Sequence, residues 1–135
     1  MNNQIIIDAS NTVLGRLASY VAKQALLGKS VIILNCDDVL ITGNRKNIYL
    51  EYRTNVTRGG SGLKGPKIPR KSTERYVKRT VRGMLSHKQQ RGRDALNRIR
   101  CYSQIPQEYV QSSKTTLPRQ ISHASLKLSE LLREA

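Results

Sequence analysis

The sequence predicts an α/β fold built on parallel strands, and three observations carry that prediction. Two unbroken apolar runs, Gln4-Ile5-Ile6-Ile7-Asp8 and Val31-Ile32-Ile33-Leu34, are dominated by β-branched residues. Continuous apolarity without alternation suits strands covered on both faces, as parallel strands are. Between the runs lies a stretch whose apolar residues repeat with helical spacing. Strand, helix, strand in about thirty residues is a βαβ unit, which closes with a right-handed crossover. The length, 135 residues, fits a single domain spanning residues 1–135. Such a chain buries roughly two-thirds of the surface it exposes when unfolded, so a core is affordable. With six Tyr but neither Phe nor Trp, that core must come mainly from Ile, Leu, Val and Ala.

The elements follow in order. The run at 4–8 is the first strand. Leu14, Leu17, Ala18, Val21 and Ala25 then fall on one helical stripe. Ser10, Asn11 and Thr12 are N-cap candidates, and Gly28 stands where a C′ glycine belongs. Residues 31–34 form the second strand, and Val39-Leu40-Ile41 a short third. The segment TGNRKNIYLEYRTNV predicts a helix with Ile48, Tyr49, Tyr52 and Val56 on one side. Four Gly and two Pro make residues 57–71 an irregular loop. A helix begins near Ser72, with Glu74 placed favourably against its N-terminal dipole. The next segment, SHKQQRGR, reads as a basic loop. Arg98-Ile99-Arg100-Cys101-Tyr102 alternates basic and apolar residues, as a half-exposed edge strand does. After it comes an extended tail punctuated by Pro, and then a short helix around Leu126, Leu128, Leu131 and Leu132.

The net charge is +15, and its distribution says more than its size. Residues 58–100 carry fourteen Lys and Arg against two acids, whereas the flanking segments are nearly balanced. Self-repulsion at this density costs stability unless an anionic polymer answers it. On a helix over 75–85, Arg75, Lys78, Arg79 and Arg82 share one face, and Val77, Val81, Met84 and Leu85 the other. One side can dock on the sheet while the other presents a positive ridge. An ordinary solvated surface would mix both signs; here Glu74 alone dilutes the charge. Arg58, Lys64, Lys67, Arg70 and Lys71 lie on the preceding loop, where glycines let the backbone approach phosphates. Lys88, Arg91, Arg93, Arg98 and Arg100 extend the surface downstream, and Arg45 and Lys46 complete the RNA-binding candidates. Counterion release on neutralising phosphates supplies the binding free energy, with a salt slope of about 0.7 to 0.9 per phosphate. Single-strand readers display aromatic platforms. The basic stretch from Arg58 to Leu85 holds one Tyr, Tyr76, so recognition of a folded RNA by phosphate and shape fits better.

Other chemistries lack their residues. Gly28-Lys29-Ser30 resembles the end of a phosphate-binding loop, but the required earlier glycine is Lys23 and the motif ends a helix rather than opening one. The cluster GGSGLKG follows a helix and lacks the G-x-G-x-x-G order. Asp37 and Asp38 are neighbours on an extended chain and point oppositely, which suits a turn or cap rather than acid–base work. His87 and His123 have no nucleophile or carboxylate partner nearby in sequence. Cys36 and Cys101 are far apart, form no CxxC pair and read as free thiols in a reducing cytosol. No metal, cofactor or catalytic residue is expected. The N-terminal residues lack the charged and long apolar regions of a signal peptide. No apolar run approaches the ~20 residues of a membrane span. The chain reads as cytoplasmic, with neither a membrane nor a small-molecule partner.

Three blocks carry a family resemblance. Residues 8–44, DASNTVLGRLASYVAKQALLGKSVIILNCDDVLITGN, and residues 81–102, VRGMLSHKQQRGRDALNRIRCY, resemble the ribosomal protein L13 family in its archaeal and eukaryotic form, and Gly59-Gly60 is similar to a glycine pair in its central loop. The resemblance covers residues 4 to about 110. It implies a three-layer α/β/α domain around a small, mostly parallel sheet with a basic loop–helix extension. It also implies a structural, non-enzymatic role in the large ribosomal subunit, contacting large-subunit rRNA and neighbouring ribosomal proteins. Gly83, Met84 and Leu85 match a turn packed near the RNA, and Arg91 or Arg93 matches a contact of the family's Gly-Arg pair. Residues 63–70 carry no match, so their expected contacts rest on charge alone; the tail after Val110 carries none either, and its expected partner is RNA or a neighbouring protein. Two other readings use the same residues: a free RNA-binding regulator, and an enzyme on the same scaffold, which the missing site residues disfavour.

Overall fold

The computed structural model describes residues 3–59, 62, 65, 68–117 and 125–134. Strand β1 (Gln4–Asp8), helix α1 (Leu14–Leu26) and strand β2 (Ser30–Leu34) form the expected βαβ unit. β2 pairs in parallel with β1, Ile5 opposite Val31 and Ile7 opposite Ile33. On its other edge β2 pairs in parallel with β4 (Ile99–Cys101), Val31 opposite Ile99 and Ile33 opposite Cys101. β2 is thus central, and Val31 to Leu34 are all buried, which is why that run needs no polar alternation. The α/β class and the small, mostly parallel sheet are as the sequence leads one to expect.

Register puts Ile5, Ile7, Val31, Ile33, Ile99 and Cys101 on one sheet face, since side chains alternate along a strand. That face meets Leu17, Ala18, Val21 and Ala25 of α1 in one core. Val77 and Val81 of α3 (Thr73–Gly83) and Ala95 of α4 (Gln90–Asn97) join the same core. Gly28, at φ 94°, ends α1 in the conformation that favours glycine. Ser10, Asn11 and Thr12 do not cap α1, however. The N-cap is Val13, without a side-chain cap bond. The segment is committed elsewhere: Thr12 O accepts from Leu40 N at 2.9 Å, and Val13 bridges Leu40.

The third strand, β3 (Leu40–Thr42), belongs to a separate antiparallel pair with β5 (Ser125–Lys127). Leu126 therefore pairs opposite Ile41 as a strand residue instead of opening the last helix, and α5 spans Leu128–Glu134. The tail is extended where Thr115 lies beside β1, accepting from Asp8 N at 3.0 Å and donating to Ile6 O at 2.8 Å. Among its described residues a 3-10 turn, Gln107–Tyr109, interrupts it. The segment read as a basic loop, residues 86–93, overlaps the first half of α4, whose buried side is little more than Gly92 and Ala95. Its apolar stripe is too sparse to announce a helix.

Helix α2 (Arg45–Thr57) starts at Asn44, whose side chain accepts from Lys46 N at 3.0 Å. Tyr52 is its buried anchor; Ile48, Tyr49 and Val56 are half-buried. The Tyr52 hydroxyl donates to Pro69 O at 3.0 Å and its ring lies 6.2 Å from that of Tyr76, so α2 is tied to the entry of α3.

Candidate nucleic-acid interface

Helix α3 separates charge from core as its spacing requires. Ser72 caps it, accepting from Arg75 N at 3.3 Å, with Glu74 in the first turn. Val77 and Val81 are fully buried while Arg75, Arg79 and Arg82 are exposed and Lys78 half-buried. Leu85 continues the buried stripe, but Met84 does not and remains 46% exposed. α3 ends at Gly83, and the chain turns through Met84, whose N–H is taken by Val81 O at 2.9 Å; the 100° spacing that placed Met84 inside no longer applies there.

Because α3 packs beside β4, Arg100 joins Arg75 and Lys78 around an open groove of about 400 Å³. Glu74, Tyr102 and the half-buried Cys101 sit on its walls, with the fully buried Ile99 behind them. Tyr102, the last residue of the alternating basic run, is an aromatic that the sequence places on a strand but not at a binding surface. Tyr76, the one aromatic noted in the basic segment, is instead packed on Tyr52. Burial pushes the hydroxyls of both above the ordinary tyrosine range, so both stay neutral hydrogen-bonding groups at neutral pH.

The remaining cations divide. Lys88, Arg91 and Arg93 are exposed along the turn into α4 and on that helix, with Arg93 Nη2 donating to Gln90 Oε1 at 3.4 Å. Arg58, Arg70 and Lys71 are exposed at the borders of the glycine-rich loop, while Lys64 and Lys67 lie outside the described residues. Arg45 and Lys46 are exposed at the head of α2, the Arg45 guanidinium 5.6 Å from the centre of the Tyr49 ring. Arg98 has a structural contact: it is half-buried and donates from Nη1 to Ala25 O at 2.8 Å. Gly92, in the Gly-Arg pair expected to touch RNA, is buried against the 86–87 backbone, and a methyl there would overlap the Ser86 carbonyl.

The acids serve turns. Asp37 lies in the 3-10 turn Cys36–Asp38 and accepts from the buried Thr73 hydroxyl at 2.6 Å; Asp38 pairs with Lys127 at 3.7 Å. Adjacent in sequence, the two carboxylates serve different partners. His87 Nδ1 lies 3.2 Å from Arg82 O, in the turn between α3 and α4. Among the described residues no group of three or more His, Cys, Asp or Glu side chains is placed to hold a metal ion, and no helix is long and apolar enough to cross a membrane.

The arrangement can hold an extended polyanion across a positive ridge and groove on a rigid βαβ body. Comparison with known proteins agrees with that body and with the sequence resemblance. The family described as "Ribosomal protein L13" matches residues 2–108. The chain is similar to the large ribosomal subunit protein uL13 of Archaeoglobus fulgidus, 45% identical over 103 residues, covering 76% of this chain and 65% of that protein. It is similar to the protein of the same name from Methanosarcina barkeri, 42% identical over 113 residues, covering 83% and 79% respectively. For that of Thermoplasma volcanium the values are 45% over 109 residues, 81% and 78%. With the family match spanning β1 through β4 and the positively charged α3 between them, the chain belongs to the ribosomal protein L13 family.

Proposed function

We propose that this protein is a structural component of the large ribosomal subunit that binds large-subunit rRNA and supports its assembly, working within the ribosome beside neighbouring ribosomal proteins. One observation carries the RNA-binding part: on α3, Val77 and Val81 are fully buried while Arg75, Arg79 and Arg82 face outward. The helix is fixed to the core, so the backbone that carries its cations is set before RNA arrives, and the ordering left to binding is that of the exposed side chains. From Arg75 to Arg82 the ridge runs about 10 Å along the axis, enough to follow successive phosphates of one strand. Arg100 and Lys78 across the groove, Lys88, Arg91 and Arg93 beyond it, and the loop cations before it widen the footprint. Large-subunit membership is what the names of the relatives suggest.

The test is incorporation. Reversing Arg75, Arg79 and Arg82 together to Glu leaves the core untouched, so the isolated protein keeps its circular dichroism and melting profile. In a sucrose gradient at high salt, the unaltered chain co-sediments with large subunits and the triple variant stays in the light fractions. Normal incorporation of the variant removes the ridge from the interface. Failure of the unaltered chain to co-sediment removes the ribosomal reading itself.

A further inference from the structure

We propose that Cys36 and Cys101, 65 positions apart, are an oxidisable pair that a hydroperoxide converts into an intramolecular disulfide, fastening β4 to the turn after β2 beside the α3–β4 groove. The fold brings the two together. β2 ends at Leu34, and the left-handed backbone of Asn35 (φ 60°) then turns the chain toward β4. There Cys36 N donates to Tyr102 O at 3.1 Å, while Tyr102 N donates to Ile33 O at 2.8 Å, so the backbone of Cys36 runs beside the residue next to Cys101. With Cys101 opposite Ile33 in the parallel register and Cys36 hydrogen-bonded to the residue after it, the two cysteines occupy neighbouring positions in the fold. Both are free thiols: Cys36 is fully buried and Cys101 partly so.

Their environments assign an order of reaction. Cys101 is half-buried at the edge of the groove that Arg75, Lys78 and Arg100 line, and is the more accessible of the two thiols to a small oxidant. Cys36 is sealed in the core, and its contact with Cys101 and then its burial keep it protonated well above the ordinary cysteine range. The thiolate of Cys101 attacks the peroxide O–O bond; one oxygen leaves as water and the other stays as a sulfenic acid, the sulfur having lost two electrons. The Cys36 sulfur then attacks that sulfenic sulfur, forming the S–S bond, and the hydroxyl departs with the Cys36 proton as a second water. Overall, two thiols and one hydroperoxide yield one disulfide and two waters when the oxidant is hydrogen peroxide. The bond closes a chain segment that contains α2, α3 and α4, so it constrains the unfolded chain and raises the melting temperature.

The experiment needs no RNA, so it stands apart from the incorporation test. The full chain is treated with a modest excess of hydrogen peroxide, remaining thiols are alkylated, and the intact mass and peptide map are read. The expected product has lost two hydrogens, takes up no alkyl group and links the Cys36 and Cys101 peptides; its melting temperature falls back on reduction. The same treatment in concentrated urea gives the link more slowly, on the order of tenfold or more, because the folded chain supplies a high effective concentration. C36S leaves a sulfenic acid on Cys101 that dimedone traps, whereas C101S reacts slowly. Two alkylated cysteines after oxidation overturn the proposal, as does overoxidation of Cys101 without the link, or a link that forms equally fast in the unfolded chain. Because the wild-type result decides, loss of folding in either variant does not rescue it.

Discussion

Arg98 reaches across 73 positions of sequence to donate a 2.8 Å hydrogen bond from Nη1 to the carbonyl oxygen of Ala25. That carbonyl lies in the last turn of α1, where it also accepts from Gly28 N at 3.1 Å and the negative end of the helix dipole favours a cation. The bond fastens the start of β4 to the end of α1. Arg98→Ala is expected to cost about 1 to 2 kcal/mol, toward the low end for a charged hydrogen bond because the site is half-exposed. Urea unfolding reads the loss. RNA affinity and its salt slope stay near wild type, whereas Arg75→Ala lowers the slope by roughly 0.7 to 0.9. An unchanged unfolding midpoint with a reduced slope for Arg98→Ala would return this residue to the RNA surface.

Thr73 and Asp37 form a second long-range tie. The hydroxyl donates at 2.6 Å to a carboxylate in the turn after β2, and Thr73 is itself 5% exposed at the start of α3. Thr73→Val keeps the shape and removes the donor, leaving a partly buried carboxylate oxygen short of a partner. The expected cost is about 1 to 3 kcal/mol. In a double-mutant cycle with Asp37→Asn, the coupling is at least ~0.5 kcal/mol, since the two groups touch. Strict additivity in that cycle would mean that the contact contributes nothing to stability.

At Gly92 two effects oppose each other, and their sizes decide the sign. Replacing a helical glycine by alanine ordinarily stabilises by about 0.8 to 1 kcal/mol. Here the added methyl overlaps the Ser86 carbonyl and crowds the His87 amide, both backbone atoms that cannot rotate away. Separating α4 from the 86–87 turn costs about 1 to 3 kcal/mol, as overpacking does. Gly92→Ala is therefore expected to lower the melting temperature, while Arg91→Ala beside it leaves stability unchanged and weakens RNA binding. A stabilised Gly92→Ala protein contradicts the close packing.

What the sequence disclosed follows how local each cause is. β1, α1 and β2 were legible because an unbroken apolar run and a five-residue stripe are themselves the burial pattern. The α3 ridge was legible for the same reason, Val77 and Val81 marking its inner face. α4 was hidden because what fits it to the body is the missing side chain of Gly92, and an absence has no periodicity. β5 was hidden because Leu126 is a strand residue only through Ile41, 85 positions away. Within the candidate interface, charge named the cations but could not tell which of them also make structural contacts. Nothing local distinguishes Arg98, spent on Ala25, from Arg100 in the groove, and nothing local sets Tyr102 opposite α3.

Met84 and Leu85 put the end of α3 to the same test. Both fit the apolar stripe by spacing, yet Leu85 is 6% exposed and Met84 46%. If the helix continued through them, truncating either would open the core. Because α3 ends at Gly83, Leu85→Ala leaves a cavity against the core and is expected to cost about 2 to 4 kcal/mol. Met84→Ala removes surface that is already largely solvated and costs less than ~1 kcal/mol. Chemical denaturation of the two single variants separates the cases. If RNA also covers this corner, Met84→Ala weakens rRNA binding by losing apolar contact at unchanged salt slope, since no charge has been removed. Equal destabilisation by the two variants would show that α3 runs on and that Met84 points inward.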